Sequence, residues 1–391
     1  MRIAIAAATL ALLATAQASR AQGSGPPELV VDVSTGRVLR ERDPDRAWKP
    51  ASLTKLMTTY VALREVAAGR VRPDATVTVS RHAASAPPSR SGIPVGGRLT
   101  LSDALRVLMV KSANDVAVAV AEAISGSETS FAALMNAESA RLGMASSHWV
   151  NPHGLDAPGQ STTARDLAIL ARAIRREFPS MDPLFAIGAI NLRGAVMSNH
   201  NSAIGRYGRS DGMKTGFTCG SGFNVVSSAS MDGRRVLAVV LGRPAATERD
   251  ARASLLLEAA LLAPVPPGAA AVDGPRTTDT RPAPSLGCGG RARSEDDIDA
   301  DKGVREWVRT FARTPRSLGQ PVVVNLVPGI PAPMTAEEAS TVRGVVSAYA
   351  PVQAGPAPAM PGTAPPRSLP AAAPASPPEP PASSPPRLRR F

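Results

Sequence analysis

The chain has 391 residues, 43% hydrophobic and 19% charged, with 44 Lys+Arg against 32 Asp+Glu and a net charge of +12. These proportions exclude disorder along the whole chain, and an aromatic content of 3% leaves few stacking platforms for nucleic acid. The only lysines are Lys49, Lys55, Lys111, Lys214 and Lys302, so an amine that can lose its proton near neutral pH is scarce and a lysine inside a motif carries weight.

Arg2 precedes an apolar run from Ile3 to Ala14, and small residues then permit cleavage after Ala18 or after Ala21. This pattern predicts a secretory signal peptide over 1–21, and no later stretch is apolar and long enough to span a bilayer. The mature chain is therefore expected outside the inner membrane, in the periplasm or cell envelope. Cys219 and Cys288 are the only cysteines, and two readings stand: a disulfide formed after export, or two separate thiols.

Glu28–Val33 and Arg37–Leu39 read as strands around Ser34-Thr35-Gly36. Pro50 then opens an amphipathic helix carrying Leu53, Leu56, Met57, Tyr60 and Leu63. Two helices follow within 102–123, interrupted around Lys111–Asn114, then helices at Ser130–Leu142 and, capped by Thr163, Ala164–Arg175. Two strands, Phe223–Ala229 and Arg235–Leu241, flank the turn Met231-Asp232-Gly233, and a helix from about Glu248 to Leu262 closes the unit. Strands at both ends of a helical middle predict one sheet.

About two thirds of the 38 prolines lie after Ala263. Residues 264–350 form an extension in which Gln320–Val327 suggests a strand and 294–313 an amphipathic helix. Two readings stand for that helix: a peripheral contact with a membrane or wall surface, or packing on the body. The Pro/Ala-rich stretch 351–391 reads as a disordered spacer.

Three short motifs stand in order: Ser52-Leu53-Thr54-Lys55, Ser112-Ala113-Asn114 and Lys214-Thr215-Gly216, the last just before an expected strand. A serine hydroxyl is a weak nucleophile until a base takes its proton, and at i and i+3 of a helix the Lys55 amine can reach Ser52. Burial and a second cation, Lys214, would lower the Lys55 pKa enough for that work. A helix start at Ser52 also aims backbone N–H groups at a developing oxyanion.

With Lys49–Lys55, Lys111–Asp115, Asn151-Pro152-His153-Gly154-Leu155-Asp156, Thr163–Ala168 and Asp211–Thr218 around them, these motifs resemble the serine D-alanyl-D-alanine carboxypeptidases, the low-molecular-mass penicillin-binding proteins, over about Leu29–Leu262. The resemblance implies an α/β, β-lactamase-like three-layer sandwich of mainly antiparallel sheet flanked by helices, with a helical subdomain, and a catalytic domain over 22–263. It implies that Ser52 is acylated by a peptidoglycan stem peptide, releasing the terminal D-Ala, and that β-lactams inhibit as mimics. Lys55 would be the base, Ser112 a proton relay, and Asn114 a contact for the donor backbone and for Lys55. Lys214 would supply positive potential, Thr215 would contact the terminal carboxylate beside Gly216, and Ser52 and Phe217 would give the oxyanion-hole N–H groups. Arg249, matching an arginine just ahead of the last helix, would help to bind the carboxylate.

Phe217 stands where close relatives often carry histidine, and His200 where some carry arginine. Asn151–Asp156, His153 included, reads as a turn supporting the site. No cofactor and no metal site is expected, and neither is a nucleic-acid partner. The rivals are a serine β-lactamase, although the Glu-x-x-Leu-Asn loop of one class is missing between Asn114 and Lys214, and a catalytically inactive wall-binding scaffold.

Overall fold

The computed structural model describes residues 25–279, 281, 283–286, 307–309 and 313–328, all within the compact unit that ends at Pro351. The expected signal peptide, the spacer 351–391, Cys288 and most of 294–313 lie outside these residues. Cys219 is disulfide-bonded.

Strands β1 (Glu28–Asp32) and β2 (Val38–Arg42) open the chain, and β7 (Ser210–Thr218), β8 (Gly222–Met231) and β9 (Arg234–Arg243) close the sheet. Their order is β2-β1-β9-β8-β7, every neighbouring pair antiparallel. The two ends of the domain therefore meet in one sheet, as the pattern of strands around a helical middle predicts. Alternation along β9 sends Leu237, Val239 and Leu241 to one face and Val236, Ala238 and Val240 to the other. The second set packs with Leu256, Leu257 and Ala260 of helix α8 (Ala246–Leu262), and the first faces Leu167, Leu170 and Ile174 of α6 (Ala164–Glu177). Helix, sheet and helices thus make three layers.

The remaining helices are α1 (Thr54–Ala67), α2 (Arg81–Ser85), α3 (Leu101–Val110), α4 (Asn114–Ser125), α5 (Glu128–Leu142) and α7 (Asp182–Ala186). Ser127 caps α5 through Ser130 N and so moves its start two residues before the expected Ser130, to Glu128, while Thr163 caps α6 through Asp166 N as expected. Short pairs that the hydrophobic pattern did not reveal are β3 (Thr76–Thr78) with β4 (Arg98–Thr100), and β5 (Ala189–Leu192) with β6 (Ala195–Ser198).

The Lys214 motif lies within edge strand β7, which was not expected, and β7 itself stands just ahead of the expected strand, β8. Gly212, Gly216 and a buried lysine break the alternation by which a strand is read. The extension returns to the body: β10 (Val322–Val324) pairs in parallel with β5, inside the stretch where a strand was expected. Residues 307–309 are helical, and the Trp307 ring sits edge-on to Tyr207 at 5.9 Å, which places this aromatic group against the body.

Glu28 is buried and meets Arg42 at 2.7 Å, both Nε and Nη2 of Arg252 at 2.9 Å, and Arg243. Burial alone would raise its carboxyl, but the three guanidinium groups outweigh it and bring it down from 4.5 to about 2. The stability this gives is present above the unfolded value and is lost as pH falls from 4.5 toward about 2. Glu28→Gln is expected to cost about 3–5 kcal/mol at neutral pH. In thermal melts the Tm gap to the parent chain should narrow as pH drops through that window.

Candidate active site

Pro50 leads into a 3-10 turn over Ala51–Leu53 that continues as α1, so Ser52 sits at a helix start and Lys55 one turn later. Ser112 lies in the break between α3 and α4, and Asn114 is the first residue of α4. Ala51 (φ 48) and Ser112 (φ 59) both adopt the left-handed region, which costs a side-chain-bearing residue about 1–3 kcal/mol and is held only by the surrounding structure. One precedes the candidate nucleophile and the other is the second candidate serine.

Lys55 is fully buried. Its Nζ donates to Asn114 Oδ1 and to the His153 carbonyl, both at 2.7 Å, and lies 3.1 Å from Ser52 Oγ. A neutral amine has two N–H groups and one lone pair. With both N–H groups committed, the lone pair is left for the Ser52 hydroxyl. Burial drives Lys55 well below the ordinary lysine range, the Lys214 charge adds to this, and Asp115 pulls the other way. On balance these surroundings disfavour the ammonium and favour the form that accepts a proton.

Asn114 is itself fixed. Its Nδ2 donates to Pro87 O at 2.9 Å, its backbone N–H to Ser89 O at 2.7 Å, and the neighbouring Asp115 carboxylate accepts from Ser91 N and Oγ. Lys214 Nζ, also buried, donates to Ser112 Oγ at 2.9 Å and to Thr215 O at 3.0 Å. Burial, and then the nearby Arg249 charge, lower Lys214 to about 7. Two lysines and two serines are therefore linked in two pairs, Ser52 with Lys55 and Ser112 with Lys214.

Edge strand β7 runs against the 3-10 turn, and a side chain at Gly216 would come within 3.0 Å of Ser52 N and 3.1 Å of Leu53 N. Glycine allows the backbones to approach and keeps the space in front of the Ser52 N–H open. Thr215 is buried, whereas Phe217 is 47% exposed with its ring stacked on Phe223 at 4.2 Å.

Arg249 lies in the first turn of α8, not ahead of it, because the helix begins at Ala246. It is buried, pairs with Asp250 through Nε at 2.7 Å and Nη2 at 2.9 Å, and donates to His200 O at 3.2 Å. Burial, and then Lys214 and the other cations around it, hold His200 down at about 4, so its ring is neutral.

The Asn151–Asp156 turn does more than brace the site, since the His153 carbonyl is one of the two acceptors that orient Lys55. The His153 ring accepts from Leu155 N at 3.1 Å and stays neutral at about 3, through burial and the Lys55 charge. Asp156 ties the turn to Lys49 at 3.1 Å and to Thr218 at 2.9 Å. Gly154 (φ +92) touches the 3-10 turn that carries Ser52 so closely that a Cβ would lie 1.9 Å from Ala51 O. Gly154→Ala is expected to displace this loop and slow acylation by benzylpenicillin about tenfold or more, an overpacking cost of about 1–3 kcal/mol. Gly159→Ala, at φ +83 but with its nearest atom 3.8 Å away, is the control that should retain the parent rate in stopped-flow labelling.

An antiparallel sheet whose edge strand meets a serine–lysine pair under a helical layer defines the penicillin-binding class of fold. A family model described as D-alanyl-D-alanine carboxypeptidase, Peptidase_S11, matches residues 14–245, and the chain belongs to this family. It is 38% identical over 237 residues to D-alanyl-D-alanine carboxypeptidase DacD of Salmonella typhimurium, covering 59% of this chain and 61% of that protein. The chain thus spans under two thirds of that relative's length. The crystal structure of DacD from Francisella tularensis superposes with a TM-score of 0.60 at 28% identity, over 62% of this chain and 72% of that one. Penicillin-binding protein D2 from Listeria monocytogenes, in its ampicillin-bound form, superposes at 0.52 with 26% identity, over 60% and 96%.

Among the described residues no group of three or more His, Cys, Asp or Glu side chains could hold a metal ion, and no helix is long and apolar enough to cross a membrane.

Proposed function

We propose that the chain is an exported serine D-alanyl-D-alanine carboxypeptidase that trims the terminal D-Ala from peptidoglycan stem peptides. The observation that carries this reading is the Lys55 amine, buried, 3.1 Å from Ser52 Oγ and with both N–H groups of its neutral form engaged elsewhere. The Ser52 oxygen attacks the carbonyl carbon of the penultimate D-Ala while its proton passes to Lys55 Nζ. The oxyanion is met by the backbone N–H groups of Ser52 and of Phe217, the residue after Gly216, whose missing side chain leaves Ser52 N approachable. When the C–N bond breaks, Ser112 hands its proton to the departing D-Ala nitrogen and is resupplied through Lys214. Lys55 passes the proton it took through Ser112 to Lys214, and its neutral amine then accepts a proton from the water that attacks the ester carbonyl and delivers it to the Ser52 oxygen as the acyl group leaves. Lys214, Thr215 and Arg249 form the end of the cleft that holds the substrate carboxylate, and the second Nδ2 hydrogen of Asn114 is available to the donor backbone.

β-Lactams enter the same reaction as acyl donors that leave slowly. Export rests on Arg2 with the apolar run Ile3–Ala14, and the disulfide at Cys219 suits an oxidising compartment. Release of D-Ala from a peptide ending in D-Ala-D-Ala, measured beside nitrocefin turnover, tests the proposal. D-Ala release with slow nitrocefin turnover is expected. Rapid repeated nitrocefin hydrolysis without D-Ala release would establish a β-lactamase, and failure to react with either would leave a binding scaffold.

A further inference from the structure

Arg316 lies on the returning extension, six residues before β10. All three of its hydrogen bonds go to backbone carbonyls of one loop: Nε to Ile204 O at 3.0 Å, Nη2 to Asn199 O at 2.8 Å and to Asn201 O at 2.7 Å. The extension is seated tightly on this loop and its flank. Ser317 N donates to Gly205 O, a Cβ at Gly205 would lie 2.1 Å from Ser317 O, and one at Gly188 would lie 2.6 Å from Leu318 O.

The clamped loop reaches the cleft from two directions. Asn201 Nδ2 donates to Gly212 O of β7, two residues before Lys214. On the other side Ser202 N donates to Asp250, and His200 O receives Arg249. The loop thus stands between Arg316 and both cations that line the carboxylate end of the cleft. A planar guanidinium with five N–H donors suits three converging carbonyls, whereas an ammonium spans them poorly.

We propose that Arg316 is a positioning residue: from the C-terminal extension it fixes the loop Asn199–Ile204, and through it Arg249 and the Lys214 strand, in the arrangement that receives the substrate carboxylate. The inference rests on the carboxypeptidase reading for its substrate but not for the clamp itself. It gives the extension, which lies beyond the residues shared with the family, a part in the wall of the site.

The test uses the full chain with Arg316→Met and Arg316→Lys, steady-state kinetics on a peptide ending in D-Ala-D-Ala, and hydrogen–deuterium exchange. Loss of charged hydrogen bonds at this end should raise KM about tenfold in Arg316→Met while kcat stays within about threefold, with partial recovery in Arg316→Lys. Exchange should quicken over 199–205 and the first turn of α8, and remain unchanged around Lys55. The proposal is overturned if KM stays within about twofold of the parent, or if exchange quickens throughout the chain with kcat and KM changing together. A parent chain that releases no D-Ala would defeat the carboxypeptidase reading, and the local exchange pattern would still decide the clamp.

Discussion

Replacing Lys55 by arginine is expected to slow acylation of Ser52 by benzylpenicillin by about 100- to 10,000-fold, the range lost when a positioned general base is removed. The substitution introduces a permanent cation and removes the lone pair, since a guanidinium does not lose its proton in proteins. Lysine can serve because its surroundings disfavour the ammonium: burial first, then the Lys214 charge. Arginine in the same place remains a cation beside Lys214 and lowers stability as well. Lys55→Met separates the two effects, because it removes the base without adding a cation, at similar volume. It should lower the Tm less than Lys55→Arg does and still lose acylation, as measured by stopped-flow labelling with a fluorescent penicillin and thermal melts. Parent-like acylation in Lys55→Met would remove Lys55 from the proton transfer.

Lys214→Ala is the second large effect, expected to lower kcat/KM for a D-Ala-D-Ala peptide by about 100- to 1,000-fold, as for loss of one preorganised electrostatic donor. Burial and Arg249 set Lys214 at about 7 in the free protein. A lysine lowered this far is a cation below that value and neutral above it, so the parent's kcat/KM should fall as pH rises through about 7. Lys214→Arg keeps the cation and should lose this alkaline limb even where its absolute rate is lower. In Lys214→Ala the acid limb moves to higher pH, because removing a neighbouring cation lets Lys55 hold its proton more strongly. An unchanged alkaline limb in Lys214→Arg would assign it to another group.

The parts of this site that were legible in the sequence are those whose chemistry restricts the side chain. Ser52, Lys55, Ser112, Asn114 and Lys214 fall in short motifs because nucleophile, base and charged partner each admit few residue types, and all five meet at one place in the fold. The sheet was legible from β8 and β9, where alternation is regular, and illegible at β7, where Gly212 and Gly216 interrupt it. The His153 carbonyl left no trace of its own, because a backbone acceptor can belong to any residue. Gly154 was the available signal, since a φ of +92 against Ala51 O admits little else. The extension's return was faint for a different reason: β10 has three residues and pairs in parallel with a strand about 130 positions earlier, a separation that no local pattern reports.

Turnover through Ser52 and Lys55 requires an acyl-enzyme on Ser52. Mass spectrometry of the benzylpenicillin-treated chain after proteolysis tests it most directly. One adduct of the mass of the whole drug is expected on the peptide that contains Ser52, absent from Ser52→Ala and much slower to appear in Lys55→Met. An adduct that persists in Ser52→Ala, or none on the folded parent chain, would contradict it.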